Sequence, residues 1–480
     1  MNARGLVGAL LAAALAGCSL SPHYERPSTP QPPQTYKETG DWKVASPADT
    51  SARGRWWSMF GDSDLDALEA QVTSANQTLK AGLASLEQAR AQTRIARSEW
   101  FPTLTAQANA TRGEISVYSS GYVPGRTRTG NAFVVSGDLS YEIDVFGRVR
   151  NTVANARANE QATAGDVAAL DLSLHAELAT DYFTLRGLDL EQRFLDQTVA
   201  DFSRALQLTQ NLYKGGAAAI ADVQQAQAQL ESARTQAEDT RLRRALTEHA
   251  IAVLVGQEPS AFSLTACSDD SFPTLPVIDA GLPSQLLERR PDVAAAERRV
   301  AAANANIGVA RAAYFPVFDL LAAVGSQTNS GATWLTAPSQ FWSIGPQALF
   351  TIFNGGLHAA QSAAAHASYD QQVANYRNTV LTAYQDVEDN LAALRQLQRE
   401  GVSEAAAVKA TQGAADQANL RYKGGIVTYL EVVATQSAAL SARLTAADID
   451  IRRASATVQL VKALGGDWNP AAPPSAADLK

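Results

Sequence analysis

The sequence predicts a mixed, mainly α-helical fold built from two tandem repeats. Long coiled-coil helices would form an α-helical barrel, and four strands per chain would contribute to a transmembrane β-barrel shared between copies. Three observations predict it. Two long proline-free stretches carry apolar residues at spacings of three and four. Four shorter runs alternate apolar and polar residues. Short motifs recur in the same order at offsets of 214, 207 and 209 residues.

Composition narrows the chemistry before any element is placed. The chain has 480 residues, 46% hydrophobic and 18% charged, with a formal net charge of -8. That is enough apolar material for a large core and excludes wholesale disorder. No dense basic stretch is present, which argues against nucleic acid as a partner. Two cysteines exclude a disulfide framework and a multi-cysteine zinc site. Five histidines are scattered, with no pair at the i, i+3 or i, i+4 spacing of a helix-borne metal site. G-x-S-x-G, G-x-x-x-x-G-K-[ST] and C-x-x-C are absent, so an enzyme is not expected, nor a metal or cofactor.

Residues 1–17 have the layout of a secretory signal, with Arg4 followed by the apolar stretch Leu6 to Ala16. That stretch is shorter than the roughly 20 residues a bilayer-spanning helix needs. Leu15-Ala16-Gly17-Cys18 resembles the bacterial lipobox, which would make Cys18 the acylated N-terminus. An ordinary signal peptide with a chance cysteine is the alternative. Ser19 stands where an aspartate tends to retain lipoproteins at the inner membrane, which implies delivery to the outer one. Residues 18–62 then form a lipidated N-terminus and a tether whose Pro, Ser and Thr content cannot bury a core.

Two repeats follow, over 63–270 and 271–466, with a C-terminal tail over 467–480. Each reads as helix, two strands, long helix and return helix. The paired anchors are Trp100-Phe101-Pro102 and Tyr314-Phe315-Pro316, then Val145-Phe146-Gly147 and Ile352-Phe353-Asn354-Gly355. The third pair is Tyr213-Lys214-Gly215-Gly216 and Tyr422-Lys423-Gly424-Gly425. First helices are expected over Ser63 to Ser98 and Pro283 to Ala313, the second beginning properly at Arg290-Pro291-Asp292. Strands are expected over Phe101 to Val117, Asn131 to Phe146, Phe315 to Gln327 and Trp342 to Phe353. The long helices carry seams such as Val167, Leu174, Leu178, Tyr182 and Leu185, or Tyr376, Val380, Val387 and Leu391. At 1.5 Å per residue each long helix would reach about 100 Å. The Gly-Gly pairs end them.

Alternation with one apolar and one polar face fits a membrane barrel with a wet lumen, and equally a soluble sandwich. The export signal favours the barrel. Four strands cannot close one, and open edges do not survive in lipid, so copies must share it. Two chains would give a barrel filled by its own side chains. Three or more would leave an aqueous channel.

In this order, the lipobox, Trp56-Trp57 with Phe60-Gly61-Asp62 and Leu65, Arg290-Pro291-Asp292 and the paired motifs resemble the bacterial outer-membrane efflux proteins. The likeness is to the TolC-like family, in its NodT-type lipoprotein subgroup, and covers nearly the whole mature chain. It implies a homotrimer with a twelve-stranded barrel in outer-membrane lipid and a helical tunnel across the periplasm. It also implies a periplasmic adaptor and an inner-membrane pump, expected to be proton-driven, as partners.

The resemblance places the turn after each long helix at the periplasmic tip. There Tyr213, Lys214, Gly215, Gly216, Tyr422, Lys423, Gly424 and Gly425 would meet the adaptor. Asp222 and Glu431, each nine residues past its tyrosine, would line the aperture. A local reading of the same acids stands beside it. Thr428 and Glu431 match a capping box, and Asp222 suits a helix N-terminus. Ala434 and Gln225 stand where family members often carry a further aspartate, so no detailed gate is carried over. Asp138, Glu142 and Asp144 are expected to face the barrel lumen, or else the solvated side of a soluble sheet. Other readings are the exit duct of a type I protein-secretion or metal-efflux system, and a structural coiled-coil lipoprotein without a pore.

Overall fold

The structure is a computed structural model that describes residues 20–29, 36–39, 55–118, 123–125, 129–267, 272–276 and 290–466. The signal segment, Cys18 and the tail 467–480 lie outside the described residues. In chain order the helices are α1 Ser63–Ala75, α2 Gln77–Ser98, α3 Arg148–Lys214, α4 Ile220–Leu254, α5 Pro291–Ala312, α6 Leu357–Lys423 and α7 Tyr429–Ala463. The strands are β1 Thr103–Glu114, β2 Thr129–Ile143, β3 Val317–Thr328 and β4 Gln340–Leu349. The duplication is plain in the lengths. Helices α3 and α6 have 67 residues each, and α4 and α7 have 35 each.

The chain separates into two compact units that cut across the repeats. One takes Leu86–Thr163 and Ala296–Tyr376 with the described residues up to Ser28. The other takes Ala164–Ala295, the described residues between 29 and Ser85, and the chain from Arg377 on.

The first unit holds a single antiparallel sheet in the order β1-β2-β3-β4. Its register sorts side chains onto two faces, because directly paired residues point the same way. Leu104, Val135, Leu139, Val324, Trp342 and Ile344 share one face through the pairs Leu104↔Leu139, Val135↔Ala108, Val324↔Gly137, Val324↔Trp342 and Ala322↔Ile344. Thr105, Asp138, Ala323 and Ser343 share the other, with Gln107 and Ser136 beside them. The apolar face is left bare: Trp342 is 75% exposed and Leu104 75%.

Residues 20–28 were expected to be a free tether. They are extended but docked within this unit. The Tyr24 hydroxyl donates to the buried Glu297 carboxylate, and Arg26 Nε donates to Tyr376 Oη at 3.0 Å. Asn304 Nδ2 donates to the Pro22 carbonyl at 3.0 Å. Ser21 and Asn151 both press on Gly308 of α5, where a Cβ would come within 2.7 and 2.4 Å of them. Aromatic and guanidinium side chains bind this stretch down despite its proline content.

The second unit packs α1, most of α3 and α6, α4 and α7. The expected seams are buried: Leu178, Tyr182, Leu185, Val380 and Val387 are at most 1% exposed. Small residues let the backbones close in. At Gly187 a Cβ would lie 2.1 Å from Ile451 Cγ1. The docked chain continues here, with Tyr36 buried and Glu388 accepting from the Lys37 and Glu38 amides at 2.7 and 3.0 Å.

The sequence predicts one helix over Ser63 to Ser98, and the structure breaks it at Asn76. The reason is tertiary. Asn76 Oδ1 accepts from the Leu79 amide at 2.9 Å, capping α2, while Nδ2 donates to the Leu254 carbonyl at 2.8 Å. Gly256, with φ +71°, lies so close that a Cβ would sit 2.6 Å from the Ala75 carbonyl oxygen.

His175 on α3 fastens α1 and the 3₁₀ turn Trp56–Phe60 to this unit. Its Nδ1 lies 2.5 Å from Glu69 Oε2, and its Nε2 lies 3.3 Å from Thr73 Oγ1 and 3.5 Å from Asp171 Oδ1. Its ring stacks on Trp57 at 4.4 Å. Burial pulls the imidazole pKa down, but the bonds to Asp171 and Glu69 more than reverse this and lift it to about 9. Burial lifts Glu69 to about 7 against the same bond from His175. Both folded values exceed the unfolded ones, so both groups stabilise most at low pH. The His175 contribution is complete below the ordinary imidazole value and is lost as pH rises through about 9. That of Glu69 is lost as pH rises through about 7. Thermal unfolding across pH should therefore show a gap in melting temperature between wild type and His175→Gln that shrinks as pH approaches about 9. A gap that widens would contradict a protonated His175.

Candidate functional site

Two regions carry the residues singled out in the sequence: the turns that end α3 and α6, and the four-stranded sheet with its junction to α3.

The two turns share one backbone solution. After α3, the Gly215 amide donates to the Asn211 carbonyl at 3.0 Å and the Ala217 amide to the Leu212 carbonyl at 2.8 Å. After α6, Gly424 donates to Leu420 at 3.1 Å and Ile426 to Arg421 at 2.9 Å. These bonds, with Gly216 at φ +76° and Gly425 at φ +71°, make two Schellman endings. Only the second glycine of each pair needs the left-handed conformation.

The side chains on these turns diverge. Tyr213 is 45% exposed, whereas Tyr422 packs on Tyr429 with ring centroids 5.5 Å apart. Tyr429 is buried in a cluster with Phe202, Leu206, Leu230, Val432 and Val433. Lys214 and Lys423 are exposed. Asp222 accepts from the Ala219 amide at 3.1 Å, the reach-back half of a capping box. The box expected at Thr428 and Glu431 does not form. The Thr428 side chain makes no capping bond, and Glu431 Oε1 instead takes Arg421 Nη1 at 2.8 Å. A charge-assisted bond to a guanidinium outcompetes one to a neutral amide. Ile426 and Leu430 stand 70% and 65% exposed beside this ion pair.

On the sheet, Asp138 and Glu142 lie on the polar face, and Asp138 Oδ2 accepts from the Ser136 hydroxyl at 2.8 Å. Asp144 lies past the end of β2. It accepts from the Val149 and Arg150 amides at 3.1 and 2.9 Å and from Arg150 Nε at 3.1 Å, so it starts α3. This capture ends the strand at Ile143 rather than at Phe146. Sequence reasoning missed Asp319, which the register sets directly opposite Glu142. Its position in the alternation of β3 was the available signal. Two facing carboxylates repel. Arg148 relieves them through a bidentate pair with Glu142, at 2.8 and 2.6 Å, and a third bond to Glu99 at 3.0 Å. Among the described residues no helix is long and apolar enough to cross a membrane. Nor does any group of three or more His, Cys, Asp or Glu among them suit a metal ion.

The sequence profile of the outer membrane efflux protein family matches residues 68–257 and 282–466. The chain belongs to that family. Its tandem repeats and mainly helical fold with a small four-stranded sheet are those of the family's channels. The chain is 31% identical to the outer membrane protein OprJ of Pseudomonas aeruginosa over 467 residues, 97% of this chain and 96% of that one. It is 28% identical to the cation efflux system protein CusC of Escherichia coli K12 over 457 residues, 95% of this chain and 98% of that one. Among solved structures, the open-state MtrE outer membrane channel of Neisseria gonorrhoeae superimposes with a TM-score of 0.77 at 28% identity. That match covers 94% of this chain and 98% of the other.

Two outcomes follow from this geometry. Gly216→Ala and Gly425→Ala should each cost about 1 kcal/mol of stability through the left-handed backbone, while Gly215→Ala and Gly424→Ala should be nearly neutral. Thermal unfolding of the four variants checks the contrast. Arg148→Met should cost about 1–2 kcal/mol, because it leaves Glu142 facing Asp319; the figure is reduced for partial exposure. Asp319→Asn in the Arg148→Met background should restore part of that loss, and a double variant no more stable than Arg148→Met would contradict the repulsion.

Proposed function

We propose that the chain is the outer-membrane subunit of a tripartite efflux system, working as a passive homotrimeric exit duct with no reaction of its own. The observation that carries this is the sheet. It has one bare apolar face, one polar face and no fifth strand on β1 or β4 among the described residues. In lipid such edges must be closed, and three copies give twelve strands around a wet lumen. Asp138, Glu142 and Asp319 then bias that lumen toward cations, moderated by Arg148.

The tip turns meet a periplasmic adaptor that links the duct to a proton-driven inner-membrane pump. Exposed Tyr213, Ile426 and Leu430 beside Lys214 and Lys423 offer an apolar surface rimmed with charge. Asp222 and Glu431, in the first turns of α4 and α7, would each be present three times around the trimer axis. Cys18 carries the acyl anchor in the outer membrane, and most of the chain lies in the periplasm. The cargo is organic rather than a soft metal ion, since the chain offers only five His, two Met and two Cys as soft or borderline ligands.

Single-channel recording in planar bilayers tests this reading. Wild type should give small, cation-preferring steps, and the Asp222→Ala, Glu431→Ala double variant should give larger ones. Steps of the same size in both forms would remove the two acids from the aperture. No steps from protein shown to be inserted would overturn the duct itself.

A further inference from the structure

A second feature of the α-helical unit has no part in the duct reading. A half-open cavity of about 470 Å³ lies between α3, α6, α7 and the described linker residues 272–275. That volume is in the range of pockets that hold drug-sized molecules, roughly 300–1,000 Å³. Its walls are apolar on three sides, from Phe194 of α3, Phe272 and Leu275 of the linker, and Val408 of α6.

Its polar groups come from α7, as Arg443, Asp450 and Arg453. The Arg443 guanidinium stands over the Phe194 ring, 5.7 Å from its centroid, and donates through Nη2 to Gln412 Oε1 at 2.5 Å. Arg453 donates through Nη1 to Asp450 Oδ1 at 3.3 Å. Each guanidinium has five N–H donors, so most of them remain without a protein partner among the described residues. Two guanidiniums face one carboxylate, which leaves the wall with a net positive charge.

We propose that this cavity is a binding site for an amphipathic organic anion. Its flat apolar body lies between Phe194, Phe272 and Leu275, and its carboxylate or sulfonate is held by Arg443 and Arg453. Aromatic walls suit a planar body. A planar, bidentate donor matches the paired oxygens of a carboxylate or similar oxyanion. Asp450 attracts a cation and repels an anion, but the two arginines outweigh it, so charge sign is the property the site reads. The site stands whether or not the protein works as a duct.

Isothermal titration of 1-naphthoate into the full-length protein in amphipol tests it, with 1-naphthalenemethylammonium as the cation of matching body. Expected is saturable binding of naphthoate, with the cation weaker by at least about tenfold, the scale of one charge-assisted hydrogen bond. Arg443→Gln with Arg453→Gln should weaken naphthoate by at least the same factor of about ten, and Arg443→Lys should keep part of the binding. Asp450→Asn should tighten it. Three results would overturn the proposal: no saturable binding, a cation that binds as well as the anion, or wild-type affinity in a double glutamine variant whose melting temperature is unchanged. Should that double variant not fold, the anion-to-cation comparison on wild type and the direction of the Asp450→Asn change decide.

Discussion

A backbone amide or carbonyl left unpaired in hydrocarbon costs several kcal/mol, and that constraint organises this protein. The sheet satisfies its interior groups through three antiparallel pairings and, among the described residues, leaves the outer edges of β1 and β4 open. Its bare apolar face would be a liability in water. Both features become assets once copies join edge to edge in a membrane. An oligomer is thus a condition for the sheet to exist in lipid.

The remaining structure makes the passage from strand to helix abrupt and rigid. Asp144 takes the first amides of α3, and Gly147 supplies the positive φ of +78° that turns the chain. Arg148, one residue on, ties the start of that helix to Glu142 on the strand and Glu99 beyond α2. The same device of a side chain bonding two elements recurs at Asn76. There one amide caps α2 and holds the end of α4. These joints matter because the first turn of a helix is costly to form and helices in proteins draw most of their stability from tertiary contacts.

Duplication repeated the backbone and released the side chains. Both tip turns use the same bonds and the same left-handed glycine. Yet one presents an exposed tyrosine and a capping aspartate, the other a half-buried tyrosine packed on a buried one and an arginine–glutamate bridge. Backbone geometry at a helix end is set by few atoms, which a repeat preserves easily. Surface side chains answer to no such backbone constraint, and in the two copies they have diverged.

Periodicity, proline placement and the glycine pairs were enough to read the strands, the limits of the long helices and the bipartite plan from the sequence. These are local properties: a 3.6-residue or two-residue period is imposed by the chain on itself. Tertiary structure alone decided the break at Asn76, the docking of Tyr24, Arg26 and Tyr36, the node around His175, and the pairing of Glu431 with Arg421. All but the last depend on a partner more than a hundred residues away, beyond any local window, and Arg421 meets Glu431 only because the turn between them folds back. Asp319 shows the boundary between the two. Its place in an alternating run was visible, but its opposition to Glu142 came from register, and register is a property of two strands together.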